Sequence, residues 1–198
     1  KGNHRLAMAK SSVKVIDPKV SYTKSGEQLR VIILGKIERW KEALLMAWVA
    51  AWIFCGGVVF VEWQKTSDED TQIAFFAFLV FWAYFLWRAG RTMLYRMGGN
   101  ELVEVNADEL VLKKSFFTFG KTKSFFLENI EDFKPVKLSK TSFVYTYENG
   151  WWNLGGEKLC FKYQGRYVKF AMQVEEKTVT TIYSLINRQI KENIKKKS

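Results

Sequence analysis

Cysteine, histidine and proline are scarce in this 198-residue chain, which has two cysteines, one histidine and two prolines. Cys55 lies in a long apolar run and Cys160 in a strand-like stretch near the other end, so there is neither a disulfide framework nor a CxxC pair. The lone His4 sits in a polar N-terminal segment. A zinc site of the usual Cys/His kind, a haem held by intramembrane histidine and a Ser/His/Asp triad all lack the residues to build them. No catalytic site, no metal and no cofactor is therefore expected. The low proline count, with 48% hydrophobic and 16% aromatic residues, excludes disordered and fibrous classes.

Charge is present in excess of one sign. Lysine and arginine total 31 against 20 acids, a formal charge of +11, which points to lipid headgroups, nucleic acid or an acidic partner.

Charge is missing altogether from two long runs. Residues 43–61 and 73–87 contain no Asp, Glu, Lys, Arg, His, Asn or Gln. As a helix the first run spans about 28 Å, close to the roughly 30 Å of a bilayer core. Eight of the 13 residues from 75 to 87 are aromatic and fall on all sides of a helix, which argues against a buried hairpin of a soluble protein. The second helix can continue past Arg88 and Arg91 to Tyr95, with both arginines snorkelling to headgroups. Two spans are expected, at about 43–63 and 72–95, within a segment 41–100. The absence of polar side chains leaves no ion path or proton relay. Ala43, Ala47, Ala51 and Cys55 form a small-residue stripe expected to pack on the second span. The aromatic second span, with Phe78, Trp82 and Phe85, then faces outward to lipid, a quinone or pigment, or partner helices.

Orientation follows from the flanking charges. Residues 1–41 carry ten Lys or Arg against three acids, and Arg88, Arg91 and Arg96 follow the second run with no acid before Glu101. The connecting loop has Glu62, Asp68, Glu69 and Asp70 against Lys65. By the positive-inside rule both termini are cytoplasmic. The first run starts too far along the chain for a cleaved secretory signal. With most of the positive charge placed beside the spans and no nucleic-acid motif in view, nucleic acid is not an expected partner.

The remaining sequence reads mainly as β. In segment 1–40, Val13–Ile16 and Leu29–Ile33 flank a turn-like Lys24-Ser25-Gly26-Glu27, a hairpin pattern. In segment 101–198, residues 101–105 and 109–113 surround the reversal Asn106-Ala107-Asp108, and further strand-like stretches lie at 114–118, 123–127, 142–147, 157–163 and 166–172. Gln164-Gly165 is a turn in which glycine fits a positive φ. From Glu175 the period changes, and Val179, Ile182, Leu185, Ile186 and Ile190 make the stripe of an amphipathic helix. Asp108, Glu128 and Asp132 stand at turns or strand ends, where capping explains them.

The succession of 101–113, the basic-aromatic strand closing on Leu127-Glu128-Asn129-Ile130-Glu131-Asp132-Phe133, and the hairpin Leu159 to Phe170 followed by an acidic helix start resembles the bacterial pleckstrin-homology-like (PH-like) domain family over residues 101–194. Members with a transmembrane hairpin inserted after an initial strand pair are also similar to residues 20–100. The resemblance implies a membrane α+β protein: a two-helix transmembrane hairpin plus a PH-like β-barrel or sandwich capped by a C-terminal helix, used for lipid or protein recognition. Where such proteins often have a plain turn, this chain has Trp151-Trp152 between Gly150 and Gly155-Gly156. The pair is either a binding anchor or a core residue and an edge cover.

Lys113, Lys114, Lys121 and Lys123 cluster around the hairpin Ser115 to Gly120 and are either a headgroup-binding patch or a solvated strand face. Two readings of function follow. One is a non-catalytic accessory subunit or assembly factor of a larger complex in a bacterial inner membrane, hetero-oligomeric with integral membrane partners. The other is a free membrane-anchored module that binds anionic lipids.

Overall fold

The computed structural model describes residues 12–117, 119–136, 150 and 152–197. Its elements are β1 (Lys14–Asp17), β2 (Val20–Ser25), β3 (Gln28–Leu34), α1 (Arg39–Lys65), α2 (Glu69–Gly98), β4 (Gly99–Val105), β5 (Glu109–Phe116), β6 (Phe119–Phe126), a 3-10 turn (Leu127–Asn129), β7 (Ile130–Pro135), β8 (Glu157–Tyr163), β9 (Arg166–Met172) and the C-terminal helix, called α3 (Glu176–Lys197). The strand expected at 142–147 lies outside the described residues.

Both apolar runs fold as helices longer than expected, with 27 residues in α1 and 30 in α2. At 1.5 Å per residue they reach about 40 and 45 Å. Both are long and apolar enough to cross a membrane. Asp68 caps α2, its side chain accepting from the Thr71 N–H at 3.0 Å, and Glu69 and Asp70 complement the helix dipole. Only Thr66 to Asp68 separate the helices, so they fold back as antiparallel neighbours.

The face that α1 turns to α2 differs from the expected one. Leu45, Val49 and Gly56 are the buried residues, with Trp52, Val59 and Trp63 half-buried, a heptad-like seam. Ala43, Ala47, Ala51 and Cys55 are exposed. The reason is a reciprocal lock. The Trp82 indole donates to the Trp52 carbonyl at 2.8 Å, the Trp52 indole donates to the Trp82 carbonyl at 3.3 Å, and the Trp82 ring occupies the space over Gly56. Trp82 therefore faces α1 rather than outward, while Phe78 and Phe85 are exposed.

The strands form two open antiparallel sheets, β1-β2-β3-β4-β5-β6 and β7-β8-β9, among the described residues. Of the expected barrel or sandwich, the closed barrel is not formed. Instead, pairing breaks at the 3-10 turn after β6, and the next strand begins a second sheet, Ile130 pairing with Tyr163. The N-terminal part contributes three strands where two were expected. The partner of Leu29–Ile33 across the Gly26-Glu27 turn is β2, with Tyr22 opposite Val31, and β1 adds outside it. Residues 109–116 form one continuous strand, so the stretches expected at 109–113 and 114–118 are not separate.

β3 pairs directly with β4, Val31 opposite Val103 and Leu34 opposite Asn100. The helical pair is thus an insertion between two hydrogen-bonded strands of one sheet. Alternation puts Val103, Val105, Leu110 and Leu112 on the inner face, where they meet Leu159, Phe161 and Phe170 of the second sheet and Val179, Ile182, Ile186 and Ile190 of α3. Each such side chain contributes roughly 1.5–3 kcal/mol by leaving water. The expected stripe of α3 is the buried one, extended by the buried polar residues Gln189 and Asn193. Asn193 donates to the Glu27 carbonyl at 2.9 Å and to the Asn106 carbonyl at 2.8 Å, fastening two strand turns to the helix. The turn Gln164-Gly165 has positive φ at both residues, 48° and 79°, the conformation that favours glycine at the second.

Candidate interaction surface where the helices join the sheets

α2 passes into β4 with no intervening loop, Gly98 being followed by Gly99 as first strand residue. On the other side of the insertion Gly35 follows β3, and its N–H donates to the Gly99 carbonyl at 2.9 Å. Both glycines press against buried Tyr95. A Cβ on Gly35 would come within 2.7 Å of the Tyr95 ring, and one on Gly99 would overlap that ring. Only glycine allows the two chain crossings to approach one side chain this closely.

Arg96 in the last turn of α2 completes the joint. It is 3% exposed, and its guanidinium donates to the Gly35 carbonyl (3.4 Å), the Asn153 carbonyl (2.9 Å) and Gln173 Oε1 (2.5 Å). Gln173 in turn donates to the carbonyls of Gly150 and Asn153 at 3.0 and 3.3 Å. Arg88, two turns back, donates to Asn153 Oδ1 at 3.3 Å. The residues around Asn153 are thus strapped along the side of α2. Trp152 is half-exposed on this strap, and Trp151 lies outside the described residues. Arg91 is exposed.

The four lysines do not form one patch. Cross-strand register places Lys114 opposite Lys121 and Leu112 opposite Lys123, whereas Lys113 is opposite Thr122 on the other face. Lys114 is committed within the domain, 3.1 Å from Glu157 and 3.7 Å from Glu101. The register sets it beside a carboxylate that is otherwise buried. Lys121 and Lys123 are exposed on β6.

Glu101 is fully buried, with Oε2 accepting from the Met172 N–H at 3.1 Å. Burial pushes its carboxyl above the ordinary value of 4.5, against the pull of Lys114. A raised acid favours the fold while protonated. That contribution is full below the ordinary carboxylate value and lost as pH rises through the raised one. Glu101→Gln is therefore expected to match the parent in chemical unfolding at pH 4 and to exceed it at pH 8. A Gln variant weaker than the parent at pH 8 contradicts this, because the Lys114 pair would then outweigh burial.

Among the described residues no group of three or more His, Cys, Asp or Glu is placed to hold a metal ion. The joint itself, Arg96 with Gly35, Asn153 and Gln173, was not anticipated from the sequence. Its signal was a glycine at each end of the insertion beside an arginine with no acid nearby. Compared with known proteins, the chain matches no family model, no curated protein and no solved structure.

Proposed function

We propose that this chain is a membrane-anchored, non-catalytic accessory subunit or assembly factor, whose helical pair lies in a bilayer and whose sheets stand at the cytoplasmic face of a larger complex. One observation carries the reading. The sheets and α3 close their own core, whereas the outward faces of α1 and α2 remain apolar, with Leu44, Trp48, Phe54, Phe78, Phe81 and Trp87 all exposed. Contiguous apolar surface on this scale marks a membrane or protein contact. The positive flanks of the spans and the acidic Asp68, Glu69 and Asp70 at the start of α2 favour cytoplasmic termini, as in a bacterial inner membrane.

The joint at Arg96 supports a scaffold role, because an unbroken helix-to-strand passage fixes the sheets relative to the anchor. The succession of strands ending in a packed helix supports the PH-like reading, whereas the open sheets depart from a closed barrel. The lysine-patch version of a lipid module is weakened by the engagement of Lys114 with Glu101 and Glu157.

The test is a native gel of gently solubilised membranes with mass spectrometry of the band containing the chain. Co-migration in a large complex with integral membrane subunits is expected. Migration alone, at the size of one or two chains with detergent, overturns the accessory role.

A further inference from the structure

The end of the six-stranded sheet nearest the helices carries aromatic side chains that the joint does not use. Phe116 of β5 pairs with Phe119 of β6, and Phe117 between them has a φ of 50°. A bulky residue in this left-handed region is strained, and glycine or asparagine would relieve it. The backbone is held there by the Phe117 N–H, which donates to the Gly98 carbonyl at 3.1 Å. A Cβ on Gly98 would come within 2.8 Å of the Phe117 ring, so the ring stands beside the last turn of α2. Phe117 is 59% exposed and Phe119 81% exposed, so neither ring is explained by the core.

Other exposed groups share this end of the domain. Trp40, in the first turn of α1, is exposed, with the Lys41 ammonium 5.3 Å from its ring centroid. Trp152 is half-exposed on the strap held by Arg88 and Arg96. Lys121 follows Phe119 on the same strand face. Because β5 runs antiparallel to β4, the β5–β6 reversal projects from the end of the sheet where α2 arrives. Gly98 is about 10 Å along the helix from Arg91, and the headgroup layer occupies roughly 5–8 Å on each side of the hydrocarbon core. Aromatic rings interleaved with cations suit that layer, where their apolar bodies and the ammonium groups both find partners.

We propose that Phe117 and Phe119, together with Trp152 and Trp40, seat in the headgroup layer of the same bilayer that holds α1 and α2, so that the sheet rests on the membrane through an aromatic foot. The occupant is lipid, on the continuity of this surface with the helix exits and on the exposed cations Arg91 and Lys121 beside it, since Lys41 is paired with Glu38. This rests on the membrane reading proposed above. The strained φ at Phe117 is then the cost of presenting a ring where a turn residue would fold more easily.

The test uses the full chain with Cys55→Ala, bearing Phe119→Cys, Val80→Cys or Ser25→Cys, each labelled with bimane. Cys160 is buried. The proteins are reconstituted in vesicles of phosphatidylcholine and phosphatidylglycerol carrying headgroup-region nitroxide lipid. Val80 on α2 reports the anchor, and Ser25 at the opposite end of the sheet reports water. The inference predicts a blue shift and loss of intensity at 119, with position 25 unchanged and position 80 blue-shifted. Position 80 in lipid with 119 in water overturns the foot and leaves the anchor standing. Shielding at 119 in native membranes but not in vesicles assigns the surface to a protein and also overturns it. Position 80 in water overturns both readings.

Discussion

Replacing Gly56 by leucine is expected to pull the helical pair apart, whereas the same change at its neighbour Gly57 is expected to be nearly silent. A side chain at 56 meets the Trp82 ring, and one at 57 meets open space. Overpacking a closed contact costs about 1–3 kcal/mol, and displacing Trp82 also loses both indole-to-carbonyl bonds, at about 1 kcal/mol each. The combined loss is about 3–5 kcal/mol. The pair of variants controls for helix propensity and hydrophobicity, since leucine replaces an adjacent glycine of the same helix in each. Thermal unfolding in detergent followed by tryptophan emission reads the difference. Equal midpoints for Gly56→Leu and Gly57→Leu contradict the Trp52–Trp82 lock.

The second large effect is expected at Arg96. Arg96→Met removes the donor shared by the Gly35 carbonyl, the Asn153 carbonyl and Gln173 Oε1, leaving acceptors at the joint without their cationic partner. Each buried group left unsatisfied costs about 1–3 kcal/mol, and partial rehydration brings the total to roughly 3–5 kcal/mol. The strap at 152–156 is held through Asn153 and Gln173, so its release precedes global unfolding. Limited proteolysis is expected to cut the variant after Trp152 while the parent resists. Arg96→Lys recovers only part of the loss, because a single ammonium cannot reproduce the planar spread of a guanidinium over three acceptors. Identical cleavage of parent and Met variant counts against the joint as the element that fixes the strap.

The two long helices are legible because run length is a local property: 19 residues without a charge read as helix whatever they pack against. The face of α1 is not. Ala43, Ala47, Ala51 and Cys55 recur at helical spacing, and so do Leu45, Val49, Trp52 and Gly56. The choice is made by Trp82, on another helix, whose ring needs the gap over Gly56. The last helix is legible in its apolar stripe, but not in its buried Gln189 and Asn193 or in its continuation to Lys197, where the terminal lysines suggest a solvated tail. β2 escaped because Val20-Ser21-Tyr22-Thr23 offers only one aliphatic residue, and its strand character comes from pairing with Leu29–Ile33.

The partner of Lys114 was within reach of the sequence. The turn Asn106-Ala107-Asp108 puts Val105 opposite Leu110, and counting outward puts Glu101 opposite Lys114. The same count places Lys114 on the face of β5 that carries Leu110 and Leu112. The open sheets lay beyond any local signal, since where β6 stops pairing and β7 begins is decided by contacts with β8. The joint at Arg96 brings together residues separated by 57 to 77 positions, a juxtaposition made by the sheet insertion.

The account stands on the helical pair crossing a bilayer with the sheets on one side. Its most direct test is the reactivity of single cysteines toward a membrane-impermeant maleimide in intact cells. The reporters are Ser67→Cys in the loop between α1 and α2 and Ser25→Cys at the end of the sheet far from the helices, each in the Cys55→Ala chain. The account predicts that position 67 is labelled from outside and that position 25 is labelled only after the membrane is permeabilised. Labelling of both in intact cells, or of both only after permeabilisation, contradicts it.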